Sequence, residues 1–222
     1  MRNALARTYM QTKDISLPTL RRLPVYLHYL NAIKAERTNI SATAIASYFG
    51  INDVQVRKDL AIVSGSGRPK TGYVTEELIA HIQACLNCNR ETKAILVGAG
   101  NIGKALLAYG GFDDFGLRII AAFDSDENTV GKPISGKPVY SMDELGRICR
   151  PENVKLGIIA VPVQSAQSVC DELVACGIRA IWNFAPAILK TPETVLIENE
   201  NLASSLAILS RHIGNVEKEN PQ

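Results

Sequence analysis

No apolar run in this 222-residue sequence approaches the ~20 residues that a membrane span needs. Its start, from Met1 to Met10, holds no apolar core of secretory-signal length. The chain is therefore expected to stay in the cytoplasm. Cysteine is sparse and odd in number (Cys85, Cys88, Cys149, Cys170, Cys176), so the five cannot all pair within one chain and no disulfide framework is expected. Cys85-Leu86-Asn87-Cys88 has CxxC spacing, but no second such pair exists to complete a zinc site. A thiol switch or, more simply, two buried reduced cysteines on one helix turn fits that pair. Internal repeats and low-complexity tracts are absent too. The first dozen residues and the end, Val216 to Gln222, read as frayed termini.

What is present is ordinary in bulk, 46% hydrophobic and 21% charged, and long enough for two small domains. Residues 1–92 carry 12 Lys/Arg against 7 Asp/Glu, whereas 93–222 carry 12 against 15. A basic front and a mildly acidic back suggest that the front meets a polyanion. Periodicity changes once along the chain. From Leu17 to about Leu86 it is helical, broken by Ser64-Gly65-Ser66-Gly67. From Lys93 short apolar runs alternate with helical segments: Ala94–Val97, Leu117–Phe123, Leu156–Val161 and Ile178–Trp182. Such runs are buried parallel strands in a doubly wound sheet. Asn87 to Thr92 is the polar connector between the two parts.

Within the front part, Ser41 is an N-cap and Ile45, Ala46 and Phe49 share a helical face. Gly50 suits a left-handed turn, and Asn52 or Asp53 caps a second helix whose inner face is Val56 and Leu60. Ala46, Gly50 and Val56 are the small contact residue, the turn glycine and the β-branched anchor of a helix-turn-helix. The second helix is expected to point Gln55, Arg57, Lys58 and Asp59 outward. Gln and Arg suit base edges and Lys suits phosphate. Ser64 to Val74 reads as a β-hairpin wing with Arg68 and Lys70 near its tip, Arg68 suiting a narrow minor groove. Arg21 and Arg22 join these as candidate DNA contacts. A small helical interaction domain with merely solvated cations is the alternative.

In the back part, Ala94 to Val97 leads into Gly98-Ala99-Gly100-Asn101-Ile102-Gly103, a strand, GxGxxG and helix start in the right order. Gly98 permits the tight turn, Gly100 admits a pyrophosphate to the backbone, and Gly103 lets helix and strand pack closely. The helix N-terminus offers N–H groups to phosphate. Asp124 ends the next strand about 20 residues after Gly103, where a carboxylate binds the adenosine ribose and rejects a 2′-phosphate. Asp126 could share that role. NADH and NAD⁺ are the expected ligands. Val161-Pro162 and Asn183-Phe184-Ala185-Pro186 end two further strands and face the nicotinamide half; Phe184 packs on that ring or is a core aromatic.

A dehydrogenase needs a positioned acid–base group. The three histidines, His28, His81 and His212, lie outside the strand–turn positions, and only about 25 residues follow the sheet, too few for a substrate domain. A nucleotide site without room for a substrate, joined to a DNA-binding module, points to a sensor rather than an enzyme, with no catalytic residue and no metal site.

Taken together, Leu20 to Leu27, Gln55 to Leu60, Val97 to Gly103, Ala122 to Asp126, Val161-Pro162 and Asn183 to Pro186 make the chain similar to the Rex family of redox-sensing repressors over nearly its whole length. The resemblance implies a winged helix-turn-helix domain over 13–86, a Rossmann domain over 93–200 and a dimerisation helix over 201–213. It implies a homodimer on a palindromic, AT-rich operator, released when NADH outcompetes NAD⁺, and a last helix that swaps onto the partner. Leu202, Leu206, Leu209 and Ile213 form an apolar stripe suited to such docking, or to packing on their own subunit. Three departures stand out: His28 where the family usually has Arg, Asn201 where it usually has Asp, and a wing reading Ile62-Val63-Ser64 and Arg68-Pro69-Lys70. A regulator answering to coenzyme A, or a small NAD-dependent oxidoreductase, are the competing readings.

Overall fold

The structure is a computed structural model and describes residues 15–219. The expected frayed first dozen residues, Lys13 and Asp14, and the last three residues lie outside the described part. The chain divides into two compact units, one reaching Arg90 and taking in Asp114–Gly116, the other comprising Glu91–Asp113 and everything from Leu117.

Among the described residues the first unit holds four helices and one small strand pair. Helix α1 (Leu17–Ile33) is capped by the Ser16 hydroxyl, which accepts from the Thr19 N–H. Strand β1 (Asn39–Ile40) precedes α2 (Ala42–Phe49), capped by Ser41, and α3 (Asp53–Ser64), capped by Asn52 rather than Asp53. Gly50 closes α2 at φ 63°, the left-handed conformation that suits a residue without Cβ. Strand β2 (Tyr73–Val74) and α4 (Thr75–Cys85) complete the unit. Its core is Leu23, Tyr26, Leu27 and Leu30 of α1 against Ile45, Val56, Leu60, Leu78 and Ile82, all essentially without exposure.

Two expectations fail here. The segment from Ser64 to Val74 is not a two-stranded hairpin. Ser64 ends α3, a single antiparallel bridge joins Arg68 to Gly72, and Tyr73–Val74 pair instead with Asn39–Ile40. The pairing has a steric reason: Gly72 packs so tightly on Ile40 that an added Cβ would lie 2.3 Å from its carbonyl oxygen. Cys85 and Cys88 are half-buried rather than buried, and only Cys85 lies in the helix; burial raises both thiol pKa values, so neither is a ready thiolate.

The second unit is a six-stranded parallel sheet. Strands β3 (Thr92–Val97), β4 (Leu117–Asp124), β5 (Val139–Ser141), β6 (Leu156–Ile159), β7 (Ala180–Asn183) and β8 (Leu196–Asn199) lie in the order β5-β4-β3-β6-β7-β8. That is the 3-2-1-4-5-6 order of a Rossmann sheet, with the reversal between β3 and β6. Register is set by Ala94 beside Leu156 and Thr92 beside Leu117. Alternate side chains of β3 serve opposite faces. Ile95 and Val97 pack with Phe123, Ile159 and the helices α6 (Leu145–Cys149) and α7 (Val163–Ala175), whereas Ala94 and Leu96 pack with Leu107 of α5 (Asn101–Ala108). Strand β6 stops at Ile159, two residues before the expected end at Val161. Helix α8 (Leu202–Glu219) is capped by Asn201, whose side chain accepts from the Ser204 N–H, and continues through Val216–Glu219, which had read as a frayed end.

Candidate functional site

The glycine-rich turn lies where the strand order reverses. Gly98 adopts φ 98°, and a Cβ there would meet the Ala160 carbonyl oxygen of the neighbouring strand end at 2.4 Å. Gly103 is tighter still: its Cβ would sit 1.9 Å from the Gly98 carbonyl oxygen, so the first turn of α5 rests directly on the loop. Gly100 is different. No protein atom lies within 4 Å of where its Cβ would be, leaving its backbone open to an approaching group. It caps α5, and the exposed Asn101 and Ile102 follow. The first N–H groups of any helix lack an intrahelical acceptor, and here they face the open side of the turn with the positive end of the helix dipole.

Asp124, at the end of β4, reaches back to this turn. Its Oδ2 accepts from the backbone N–H of the buried Ala99 at 2.6 Å, and its Oδ1 from that of Asp126 at 2.9 Å. The carboxylate is held in place by two main-chain donors and keeps lone pairs for a diol. The Asp126 carboxylate is committed to its own turn. It accepts from the Asn128 backbone and side-chain N–H groups and from the Thr129 hydroxyl, and the Asn128 backbone bond above all holds its pKa below the ordinary value.

A cavity of about 340 Å³ opens beside these groups. Gly98, Gly100, Asp124, Val161 and Pro162 line it, as do Met142, Ser165, Ser168 and Glu172, which sequence reasoning missed. Three of the four lie on α7 at positions i, i+3 and i+7, one face of a helix starting right after Val161-Pro162; that spacing was the available signal. Phe184, Ala185 and Pro186 are not in its walls. Phe184 is half-buried with its ring 4.8 Å from that of Trp182, Ala185 is buried, and Pro186 is exposed.

In the first unit, α3 exposes Val54, Arg57, Lys58 and Ala61, one face opposite Val56 and Leu60. Arg57 pairs with Asp53 at 2.7 Å and reaches the Thr43 hydroxyl of α2 at 3.4 Å. Arg68 and Lys70 are exposed on the bridge-closed turn, Lys70 at φ 67°. Arg21 is exposed on α1.

Asp59 corrects the sequence reading: it points inward and its side chain is 1% exposed. Arg22 donates to both its oxygens, Nε at 2.7 Å and Nη2 at 2.8 Å, with Tyr26, Thr19 and Gln55 completing the set at 3.0–3.1 Å. Burial pushes this carboxyl up, but the bonds from Arg22, Gln55, Tyr26 and Thr19 outweigh it and leave the pKa below the ordinary value. Burial and the Asp59 bond push Tyr26 up to about 12. Arg22, a candidate DNA contact, thus fastens α1 to α3, whereas Gln55, exposed as expected, braces the same carboxylate from within its own helix.

Comparison with known proteins bears on both units. A family model described as "CoA binding domain" matches residues 89–187, and one described as "Putative DNA-binding protein N-terminus" matches 14–61. The redox-sensing transcriptional repressor Rex of Treponema denticola is 42% identical over 193 residues, 86% of this chain and 92% of its own length. The chain belongs to the Rex family of redox-sensing transcriptional repressors. Among solved structures, RSP, a Rex-family repressor, in complex with β-NAD⁺ and operator DNA superposes with TM-score 0.85 at 32% identity, over 91% of this chain and 94% of RSP. RSP with β-NADH gives 0.82 at 32% identity, over 92% and 96%. In this Rex chain no helix among the described residues is long and apolar enough to cross a membrane.

Proposed function

We propose that this protein is a cytoplasmic repressor that binds a palindromic, AT-rich operator as a homodimer and leaves it when NADH replaces NAD⁺ in the crevice at the β3–β6 reversal. The observation that carries this reading is the Asp124 carboxylate, locked by the Ala99 N–H beside the open backbone of Gly100. A carboxylate so placed accepts ribose hydroxyls and repels a phosphate on the same ribose. This favours NAD(H) over NADP(H) and over coenzyme A, whose adenosine ribose is phosphorylated.

In this reading residues 13–86 bind DNA, 93–200 hold the dinucleotide and 201–213 dock on the partner. Gly98 to Gly103, Asp124 and Val161-Pro162 surround the ligand at the cavity, Phe184 to Pro186 border the nicotinamide half where it extends beyond the cavity walls, and Asp126 shapes the adjacent loop. Arg57, Lys58, Gln55, Arg68, Lys70 and Arg21 meet DNA, while Arg22 positions the helices that do so. Homodimer formation is supported by α8, where Leu206, Leu209 and Ile213 remain 64%, 61% and 57% exposed. A contiguous apolar stripe left in water fits a partner surface. The protein is a sensor and not an enzyme: it holds its ligand without transforming it, and His28, His81 and His212 lie on α1, α4 and α8, none of them an element that forms the turn.

Titration with NADH, NAD⁺ and coenzyme A, each with and without operator DNA, tests the proposal. NADH is expected to bind and to weaken DNA binding, NAD⁺ to bind and leave DNA bound, and coenzyme A to do neither. Release of DNA by coenzyme A and not by NADH would overturn it.

A further inference from the structure

The end of β7 is tied to the base of α8 by side-chain bonds in addition to ordinary strand pairing. Asn183, with no exposed surface, is the last residue of β7. Its side-chain Oδ1 accepts from the Ala185 N–H at 3.0 Å, and its Nδ2 reaches the Ala185 and Ala187 carbonyls at 3.1 Å. The same Nδ2 lies 2.9 Å from Oδ1 of Asn199, the last residue of β8, and the Glu200 N–H donates to the Asn183 carbonyl at 2.8 Å. One buried amide therefore shapes the Phe184–Pro186 turn and grips the strand that leads into α8.

A second bond runs parallel to it. The half-buried Trp182 donates from Nε1 to Oε1 of Glu200 at 3.0 Å. Its ring lies 4.8 Å from Phe184 and 5.7 Å from Phe112, so the indole joins the two phenylalanines over one apolar cluster. Glu200 immediately precedes Asn201, the cap of α8. The ties thus reach Ala185 and Ala187 at the turn and Asn199 and Glu200 just before the first helical residue, Leu202.

We infer that Trp182, Asn183 and Glu200 form a clamp that makes the Phe184–Pro186 turn and the root of α8 move as one body, so that occupancy of the dinucleotide crevice sets the direction of α8. The inference rests on the functional reading above, in which the turn borders the nicotinamide half and α8 docks on the partner. A change in α8 direction alters how two subunits are held and hence the spacing of their two α3 helices, which a palindromic site reads as half-site separation. These three are positioning residues: they act through the turn and the helix, not on the ligand.

The Trp182–Glu200 bond is the part that can be cut without emptying the core. Trp182→Phe keeps an aromatic ring but loses the donor and one fused ring of the packing against Phe112 and Phe184. Glu200→Ala removes the acceptor, and Glu200→Gln removes the charge while keeping it. The readout is the ratio of operator Kd with and without saturating NADH, measured by anisotropy of labelled operator, alongside Kd for NADH and the melting temperature. Allosteric coupling of this kind is typically about 5–150-fold. Trp182→Phe and Glu200→Ala are each expected to lower the ratio at least about fivefold, leaving operator affinity without NADH unchanged. Glu200→Gln should keep the parent ratio, and the double Trp182→Phe, Glu200→Ala variant should fall no further than either single change. An unchanged ratio in both single variants, even with a lower melting temperature or weaker NADH binding, assigns these residues a structural role only and overturns the inference. So does a Glu200→Gln variant that falls as far as Glu200→Ala. A parent protein whose operator affinity ignores NADH overturns the functional reading and the inference with it.

Discussion

Asp59 is a charge at a core position, and its neighbours decide whether it helps or harms. With five hydrogen bonds and Arg22 beside it the carboxylate is fully compensated. Asp59→Ala leaves Tyr26 and Thr19 without their acceptor and is expected to cost about 3 kcal/mol, the low end for breaking a buried pair because Arg22 keeps some water. Because the folded-state pKa is below the unfolded ~3.9, this stabilisation is complete above that value and drains away as pH falls through it towards the folded pKa. Calorimetric melting from pH 7 to pH 3 should show a shallower acid loss in Asp59→Asn than in the parent; identical slopes would contradict the assignment. The glycines divide in the same residue-by-residue way. Gly103→Ala forces a Cβ onto the Gly98 carbonyl and should lower both stability and NADH affinity. Gly100→Val meets no protein atom and should abolish NADH binding while the melting temperature and DNA binding hold. Undiminished NADH affinity in Gly100→Val would remove the turn from the binding site.

Among the elements, α3 carries the most direct prediction. Lys58→Ala should weaken every DNA sequence alike and lower the salt slope by about one unit. Arg57→Ala, if the guanidinium leaves Asp53 for a base edge, should cost roughly 1–3 kcal/mol on the operator and relax specificity. Competition binding on operator and random DNA separates the two, and equal loss on both for both variants would mean neither reads sequence. How far these elements were legible in the sequence follows from their surroundings. Strands β3, β4, β6 and β7 lie inside the sheet and carry apolar runs that no helix of that length would need. Strands β5 and β8 are the sheet's two edges, only three and four residues long, and Leu196, Glu198 and Asn199 face water, so no such run marks them. The β1–β2 pair is two residues long and shows no periodicity. Asp59 was misplaced although its spacing gave it away: it stands three after Val56 and one before Leu60, on the inner face. Its polarity outweighed its position, because its compensating cation, Arg22, lies 37 residues earlier on another helix.

For the molecule as a whole, His28 and Asn201 are, with the wing, the places where the chain leaves the pattern that its resemblance to Rex implies. Asn201 still caps α8, which an Asp would do equally well, so the substitution changes charge rather than helix geometry. An Arg–Asp pair between subunits would differ between the DNA-bound and NADH-bound forms, and a ligand shifts such an equilibrium only by its differential affinity. The combined His28→Arg, Asn201→Asp variant is therefore expected to enlarge the NADH-driven loss of operator affinity, with neither single change sufficient. Release over the same NADH range as the parent would take both positions out of the switch. The strand order has a further consequence, for the timing of assembly. The central β3–β6 pair joins residues about 60 apart in sequence, whereas α2 and α3 are neighbours along the chain. Long loops must close before such parallel pairing is rewarded, so the sheet is the slow half to fold. The single tryptophan, Trp182, sits on β7 and reports that half alone. In refolding, far-ultraviolet helix signal should recover in a fast phase ahead of Trp182 fluorescence; one shared phase would contradict this. During synthesis the N-terminal unit also emerges first, so on the function proposed above the half assigned to DNA is ready before the half assigned to the dinucleotide.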